Sequence, residues 1–255
     1  MNKIIQKIRA ELKVNAEEKT NQSFQRFFKE PVKCYGVKSK IVGMIAKKYW
    51  QEVKGLGKKD IFILAEELLA SDYCEEAFIV SNWMPKLADQ FEPVDIKIFR
   101  KWIEKYINNW AKCDGFCNHT VGAFVEKYPI QIKELNNWSK SSNRWLKRAS
   151  AVSLIIPTKK GKFLVEIFAI ADQLLLDKDD MVQKGYGWLL KEASKQHQKE
   201  VFDYVARNKN RMPRTALRYA IELMPKQLKA EVGAKPPTDV GDKLQSRLGG
   251  TMKSD

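Results

Sequence analysis

Apolar residues recur at the helical period along almost the whole chain. Between Lys3 and Val14 they fall at Ile4, Ile5, Ile8 and Leu12, one stripe of an amphipathic helix. Glu17 to Phe28 follows with Phe24, Phe27 and Phe28, and Pro31 marks its stop. After the turn Cys34-Tyr35-Gly36-Val37, Ser39 reads as the N-cap of a helix carrying Ile41, Val42, Met44, Ile45, Tyr49 and Trp50. Gly55 and Gly57 end it. The same period continues over 59–70, 73–91, 93–109, 116–128, 131–138, 143–156, 161–175, 178–195, 199–208 and 213–224. No run alternates with the period of two that a half-buried strand requires. The pattern predicts an all-α protein.

Helices of about 10 to 18 residues, joined by short turns and paired about every 35 to 45 residues, are spaced like those of a helical-repeat solenoid. Such a solenoid curves, and its concave face can cradle an elongated polymer. A globular bundle is the alternative, because the repeats are not self-similar residue by residue. From Pro225 the apolar content drops, through Lys235-Pro236-Pro237-Thr238-Asp239 and Gly249-Gly250-Thr251, although Leu244 and Leu248 could support a short helix. Residues 1–229 are expected to form a single domain and 230–255 a mobile tail.

Charge narrows the choice of partner. Lys and Arg number 46 against 31 Asp and Glu, a net charge of +15. From Pro225 onward six basic residues face four acidic ones, so nearly all the excess sits on the helical body. A polyanion is the expected partner, nucleic acid before an anionic membrane surface. The start, Met1-Asn2-Lys3-Ile4-Ile5-Gln6-Lys7, is amphipathic rather than a secretory signal, and no apolar run approaches the ~18 residues that span a bilayer. Cys34, Cys74, Cys113 and Cys117 are spread as reduced thiols would be, pointing to a cytoplasmic protein. Cys113, Cys117 and His119 form C-x3-C-x-H, short of the four clustered ligands of a zinc site, so no metal is expected. The chain has no P-loop, no dinucleotide fingerprint and no HExxH, and its two histidines leave little room for a His-dependent triad.

Three constellations remain. If Lys105–Gly115 is helical in part, Trp110 and Asp114 share a face one turn apart. A carboxylate beside an indole wall is partly desolvated, and its charge acts more strongly on a cationic sugar than it would in water. In Asn143-Arg144-Trp145-Leu146-Lys147-Arg148, two arginines flank a Trp at helical spacing, suited to a bidentate hold on phosphate. In Lys184-Gly185-Tyr186-Gly187-Trp188, two mid-helix glycines imply the close approach of another backbone or a ligand. Each also has a plain reading: core tryptophans, solvated arginines and tight helix packing.

Taken together, in this order and spacing, these segments resemble the AlkD-like family of DNA alkylation repair glycosylases, built from HEAT-like helical repeats. The match rests on Asn109-Trp110 with Asp114, on Arg144 to Ala149 and on Gln183 to Glu192, with weaker support at Arg26-Phe27-Phe28-Lys29 and Tyr35-Gly36-Val37. It spans residues 24 to about 222. The resemblance implies a curved solenoid with a concave basic face, acting on double-stranded DNA that contains alkylated bases. It implies Asp114 as the catalytic carboxylate, and Trp110 and Trp188 as aromatic walls against the damaged nucleotide. Arg148 becomes a phosphate clamp, and Phe27 stands where the family often has Tyr. Ala111 replaces an acid that many members carry after the first Trp.

The implied reaction is hydrolysis of the N-glycosidic bond of a cationic N3- or N7-alkylpurine, leaving an abasic site without strand cleavage. No cofactor is implied, and the protein is expected to act as a monomer in the bacterial cytosol or nucleoid. Arg144, Lys184, Lys191, Arg211, Arg214, Arg218, Lys47 and Lys48 are weaker candidates for phosphate contacts, which supply affinity rather than selectivity. The rival reading is a non-catalytic helical-repeat module that binds DNA or RNA, and a protein–protein scaffold is a third.

Overall fold

The structure, a computed structural model, describes residues 2–233. Most of the expected tail, with Leu244 and Leu248, lies outside the described residues. The chain opens with α1 (Asn2–Val14), α2 (Glu18–Gln25) and α3 (Ser39–Val53). Next come α4 (Lys58–Ala70), α5 (Cys74–Trp83), a 3-10 turn over Met84–Gln90, α6 (Asp95–Tyr106) and α7 (Trp110–Phe116). A π turn over Cys117–Val121 joins α7 to α8 (Gly122–Lys127). Then follow α9 (Ile132–Ser139), α10 (Arg144–Val152), α11 (Ile155–Lys159), α12 (Leu164–Leu174) and α13 (Asp180–Ala193). The last are α14 (Gln198–Asn208), α15 (Arg214–Ala220) and α16 (Lys226–Glu231). All regular elements among the described residues are helical, as the periodicity predicts.

Two rows organise these helices. α3, α5, α7, α10, α13 and α15 pack side by side in that order. Against them lie α1, α4 and α6, then α9, α12 and α14. Outer helices begin at Lys58, Asp95, Ile132, Leu164 and Gln198, so the pair recurs every 32 to 37 residues. The fold is a helical-repeat one. The first row is the more buried: α5, between α3 and α7 and backed by α4, has Cys74, Glu75, Glu76, Ala77, Ile79, Val80, Ser81 and Trp83 all inside. An indole such as Trp83, fully enclosed, contributes a few kcal/mol, roughly 25 cal/mol per Å² of apolar surface removed from water.

The two buried acids of α5 fix the entry to the site. Glu75 accepts from the backbone N–H groups of Tyr35, Gly36 and Val37 at 3.0, 2.8 and 3.1 Å. Glu76 is gripped by Arg9 and by the Tyr35 hydroxyl at 2.7 Å. Three backbone donors satisfy a carboxylate that burial alone would penalise. They hold the turn at Gly36, whose φ of +88° a side chain would strain. That turn sets the position of α2 and its aromatic end.

Several boundaries differ from the periodicity; α2, for example, ends at Gln25 and α6 at Tyr106. Ser39 is the first helical residue rather than the cap, and Lys38 stands at the N-cap position without a side-chain capping bond, its ammonium donating to Glu17 instead. The segment 73–91 breaks after Trp83, because Pro85 has no N–H to continue the ladder and the chain tightens to a 3-10 turn. The segment 143–156 breaks at Val152, where the ring of Pro157 crowds the carbonyl four residues back. Residues 226–231, past the composition change at Pro225, still form α16.

Candidate active site

Three consecutive helices of the inner row start the same way. Asn109 caps α7, its side chain accepting from the Lys112 N–H at 3.0 Å. Asn143 caps α10 through Trp145 and Leu146 at 2.8 and 3.2 Å, and Asp179 caps α13 through Met181 and Val182 at 2.8 and 3.3 Å. Each cap satisfies N–H groups that would otherwise be orphaned, worth about 1 kcal/mol apiece. Each also fixes where its helix begins and hence where every later side chain points. Asp114 and Arg148 are both five residues past their caps, in neighbouring helices, and they meet.

The contact is two-pronged. Arg148 donates from Nε and Nη2 to the two carboxylate oxygens of Asp114, at 2.8 Å each, and from Nη1 to the Met181 carbonyl. Burial by itself would lower the guanidinium pKa, but the charge of Asp114 and its hydrogen bonds outweigh that and raise it. Arg148 stays a cation, sealed behind the acid at 6 % side-chain exposure against 13 % for Asp114. Gly185 makes the room: a Cβ there would stand 3.2 Å from Arg148 Cγ. The two mid-helix glycines of α13 thus answer to packing. Gly187 faces α15, where a Cβ would meet Tyr219 Cβ at 2.7 Å and the Ala216 carbonyl at 2.8 Å.

In front of Asp114 lies a cavity of about 300 Å³. Trp110, Trp188 and Phe27 line it together with Asp114. Trp110 is held from behind by stacking on Phe28, centroids 5.3 Å apart, and its Nε1 donates to the Phe27 carbonyl at 3.3 Å. Trp188 is steadied by a bond of 3.3 Å from Nε1 to Glu192. A second, smaller cavity of about 190 Å³ is also lined by Trp110, with Arg144 and Trp145, so the indole is shared between the two.

The structure does not place every expected contact on this cavity. Arg148 does not face it as a phosphate clamp, because its guanidinium is buried and its donors are engaged by Asp114 and Met181. Lys191 is likewise buried, paired to Glu222 at 3.1 Å, and is not available to a phosphate. Arg144 lies over the Trp145 ring, 5.1 Å from its centroid, and pairs with Asp179 at 2.9 Å. Lys184 pairs with Asp180 at 3.1 Å. Lys47, Arg211 and Arg214 are exposed away from the cavity lining, Lys48 is exposed and bonded to Glu11, and Arg218 is half-buried.

Other residues join the site without having been picked out by sequence. Phe24 and Phe78 line the cavity and meet edge to face at 6.2 Å. Asn118, His119 and Lys159 line it too. Burial, then the charge of Lys159, lowers the pKa of His119. One signal for Asn118 was available, since it continues the i, i+4 row of Trp110 and Asp114. Among the described residues no group of three or more His, Cys, Asp or Glu is placed to hold a metal, and all four cysteines are free. No helix among them is long and apolar enough to cross a membrane.

Residues 8–224 match the family model described as DNA alkylation repair enzyme. A search of curated proteins finds no match. A solved structure, "Predicted DNA alkylation repair enzyme from Enterococcus faecalis", superposes with a TM-score of 0.75 at 14 % identity, covering 83 % of this chain and 98 % of its own. At that identity the likeness is one of fold.

Proposed function

Since the chain belongs to the DNA alkylation repair enzyme family, we propose that it is a monofunctional DNA glycosylase that releases cationic N3- or N7-alkylpurines from duplex DNA. The observation that carries this reading is the Asp114 carboxylate, fixed by a two-pronged arginine and opening on a cavity walled by Trp110 and Trp188.

The chemistry follows from the substrate's charge. An alkylated purinium is already cationic, so it departs as a neutral base without a general acid. As the C1′–N bond lengthens, positive charge develops on the sugar ring, as in glycoside cleavage generally. A carboxylate already in place, in a partly dry site, stabilises that charge with little reorganisation. Arg148 occupies one lone pair on each Asp114 oxygen, which fixes the plane of the carboxylate and leaves its outer lone pairs to the cavity. The aromatic rings hold the sugar and backbone of the damaged nucleotide. A wall-like grip on the sugar does not require the base to be enclosed, so bulky adducts are accepted. With Arg148 turned inward, the nearby positive charge for a phosphate falls to Lys159.

The test is release of 7-methylguanine from methylated duplex DNA. Asp114→Asn should lower it by about 10²–10³-fold, the scale of losing one oriented charge-stabilising group. Duplex binding should persist. The product should be an intact strand bearing an abasic site. Full release by the variant would remove Asp114 from the catalytic role, whereas binding without release by the wild type would return the chain to a non-catalytic DNA-binding role.

A further inference from the structure

We infer that Lys159, with the His119 imidazole beside it, forms the subsite for a backbone phosphodiester next to the damaged nucleotide, and that this contact serves substrate binding and not the breaking of the C1′–N bond. The inference rests on the glycosylase reading above and names the part of the substrate that the basic end of the cavity takes.

Two opposite charges line one cavity and do not pair with each other. Asp114 is held from behind by Arg148, and Lys159 is the one Lys or Arg among the lining residues. The Lys159 side chain is exposed, and no acceptor among the described residues takes its ammonium. An unpaired lysine on open surface is ordinary. On the wall of a cavity whose other charge is a fixed carboxylate, it sets a pattern for the ligand: positive against Asp114, negative against Lys159. A nucleotide losing a cationic base has that pattern. Positive charge gathers on its sugar, the phosphodiester is an anion, and the furanose ring keeps the two apart.

The backbone at Lys159 is fixed from two sides. Lys159 is the last residue of α11, and its carbonyl accepts from Gln196 Nε2 at 3.3 Å. In the turn that follows, the carbonyl of Gly161 lies 3.2 Å from the His197 ring. Lys160 and Lys162 both donate to Glu126 of α8, Lys160 at 3.0 and 2.9 Å and Lys162 at 2.9 Å. Of the three lysines, two are committed to Glu126, and the one that lines the cavity keeps its ammonium free. His119 stands in the π turn and lines the same cavity. Burial and then the positive charge of Lys159 lower its pKa, so the two side chains are within electrostatic reach. A neutral imidazole still has an N–H to donate. An ammonium and an N–H from two different elements suit the two non-bridging oxygens of one phosphodiester.

The phosphodiester keeps its single charge from bound substrate to product. A contact to it is therefore as strong in the ground state as in the transition state, and such uniform binding lowers KM without raising kcat. Asp114 works in the other sense, because the sugar turns cationic only as the base departs.

The experiment sets the lysine against a phosphate that has lost its charge. Duplexes carry a tetrahydrofuran abasic analogue and, in turn, a neutral methylphosphonate at the linkage on its 5′ or its 3′ side. The wild type should bind one of the two about tenfold more weakly than the all-phosphate duplex, the scale of one charge-assisted hydrogen bond. Lys159→Gln should bind the all-phosphate duplex about tenfold more weakly and lose nothing further at that linkage. Its slope of log affinity against log salt should fall by about one. Lys199→Gln, which removes an exposed charge from the outer row, should still feel the methylphosphonate in full. In 7-methylguanine release, Lys159→Gln should raise KM about tenfold with kcat within about twofold of the wild type. In the free protein it should also raise the His119 pKa, read by NMR with His197, the other histidine, as reference. Overturning results are a lysine variant that still loses the full tenfold at the methylphosphonate, or one whose kcat falls at unchanged KM. No base release by the wild type overturns the glycosylase reading instead, and the duplex-binding arms then decide the subsite alone.

Discussion

α7 carries two ion pairs two residues apart, and they are built in opposite senses. Lys112 is the buried member of the first, at 1 % side-chain exposure, while its partner Asp72 is half open to solvent. The three donors of Lys112 are all met: by the Asp72 carboxylate, by the Asp72 backbone carbonyl at 2.7 Å and by Asn108 Oδ1 at 3.0 Å. In the second pair Arg148 is sealed and the acid, Asp114, reaches a cavity with lone pairs still unused. Polar groups fully satisfied by the protein lock a structure, here the turn at Asp72 with its φ of +68°. Groups with acceptor capacity left over, facing a space that a ligand can enter, are positioned for chemistry. Charge and burial alone would not separate the two pairs; the count of unmet hydrogen-bonding capacity does.

The comparison breaks most sharply at Arg148. Arg148→Met leaves a partly buried carboxylate without its counter-charge, and stability should fall by about 3–5 kcal/mol, together with base release. Arg148→Lys separates orientation from charge. A lysine keeps the cation but cannot make two parallel bonds to one carboxylate. Most of the stability should return in a thermal melt while release of 7-methylguanine stays about tenfold down. If the lysine variant is fully active, the plane of the carboxylate is irrelevant and only its charge matters.

Some of this arrangement is legible in sequence and some is not. Trp110 and Asp114 are one turn apart within a single helix, so local spacing suffices to put them on one face. The helical periods likewise recover the layered architecture, because each outer and inner helix buries its own apolar stripe. The pairing of Asp114 with Arg148 spans 34 residues and depends on the register of two helices. An equal count of five residues from Asn109 and from Asn143 encodes that register, but it has meaning only once both residues are known to be caps. The π turn leaves no mark in the apolar pattern, so although Asn118 continues the row of Trp110 and Asp114, its place on the cavity lining shows only in the fold. Arg148 and Lys191 look like any surface cation in a chain of this charge, and only tertiary burial removes them from the phosphate contacts.

The structural pair on α7 should respond in the other direction. Lys112→Met removes three hydrogen bonds but leaves Asp72 able to turn to water, so the loss should be about 1–3 kcal/mol. Base release per folded molecule should not change. The pH dependence supplies a check of sign. Burial would raise the Asp72 pKa, but the hydrogen bond and charge of Lys112 override it and the net shift is downward. A carboxylate depressed in the folded state stabilises the protein above its unfolded pKa, about 3.9, and that contribution is lost as pH falls through the lower folded value. Acid denaturation curves of wild type and Lys112→Met should therefore converge at low pH. Curves that stay parallel would show that the lysine stabilises through packing of its stem rather than through the pair.

The smallest effect is expected at Gly185, and it tests whether the site feels its supporting layer. A Cβ there would stand 3.2 Å from Arg148 Cγ, closer than ordinary van der Waals contact by a few tenths of an ångström. Ala favours a helix over Gly by up to about 1 kcal/mol, so Gly185→Ala gains propensity while pushing on the arginine stem. The two terms nearly cancel in stability, and the melting temperature should move little. The push is transmitted to the guanidinium fork and through it to the carboxylate, so base release should fall a few-fold at unchanged duplex affinity. Because Gly187 lies against the α15 backbone instead, Gly187→Ala should do the reverse, costing stability first. Two alanines two residues apart, one read in activity and the other in melting, would show that α13 presents one face to the site and another to the stack.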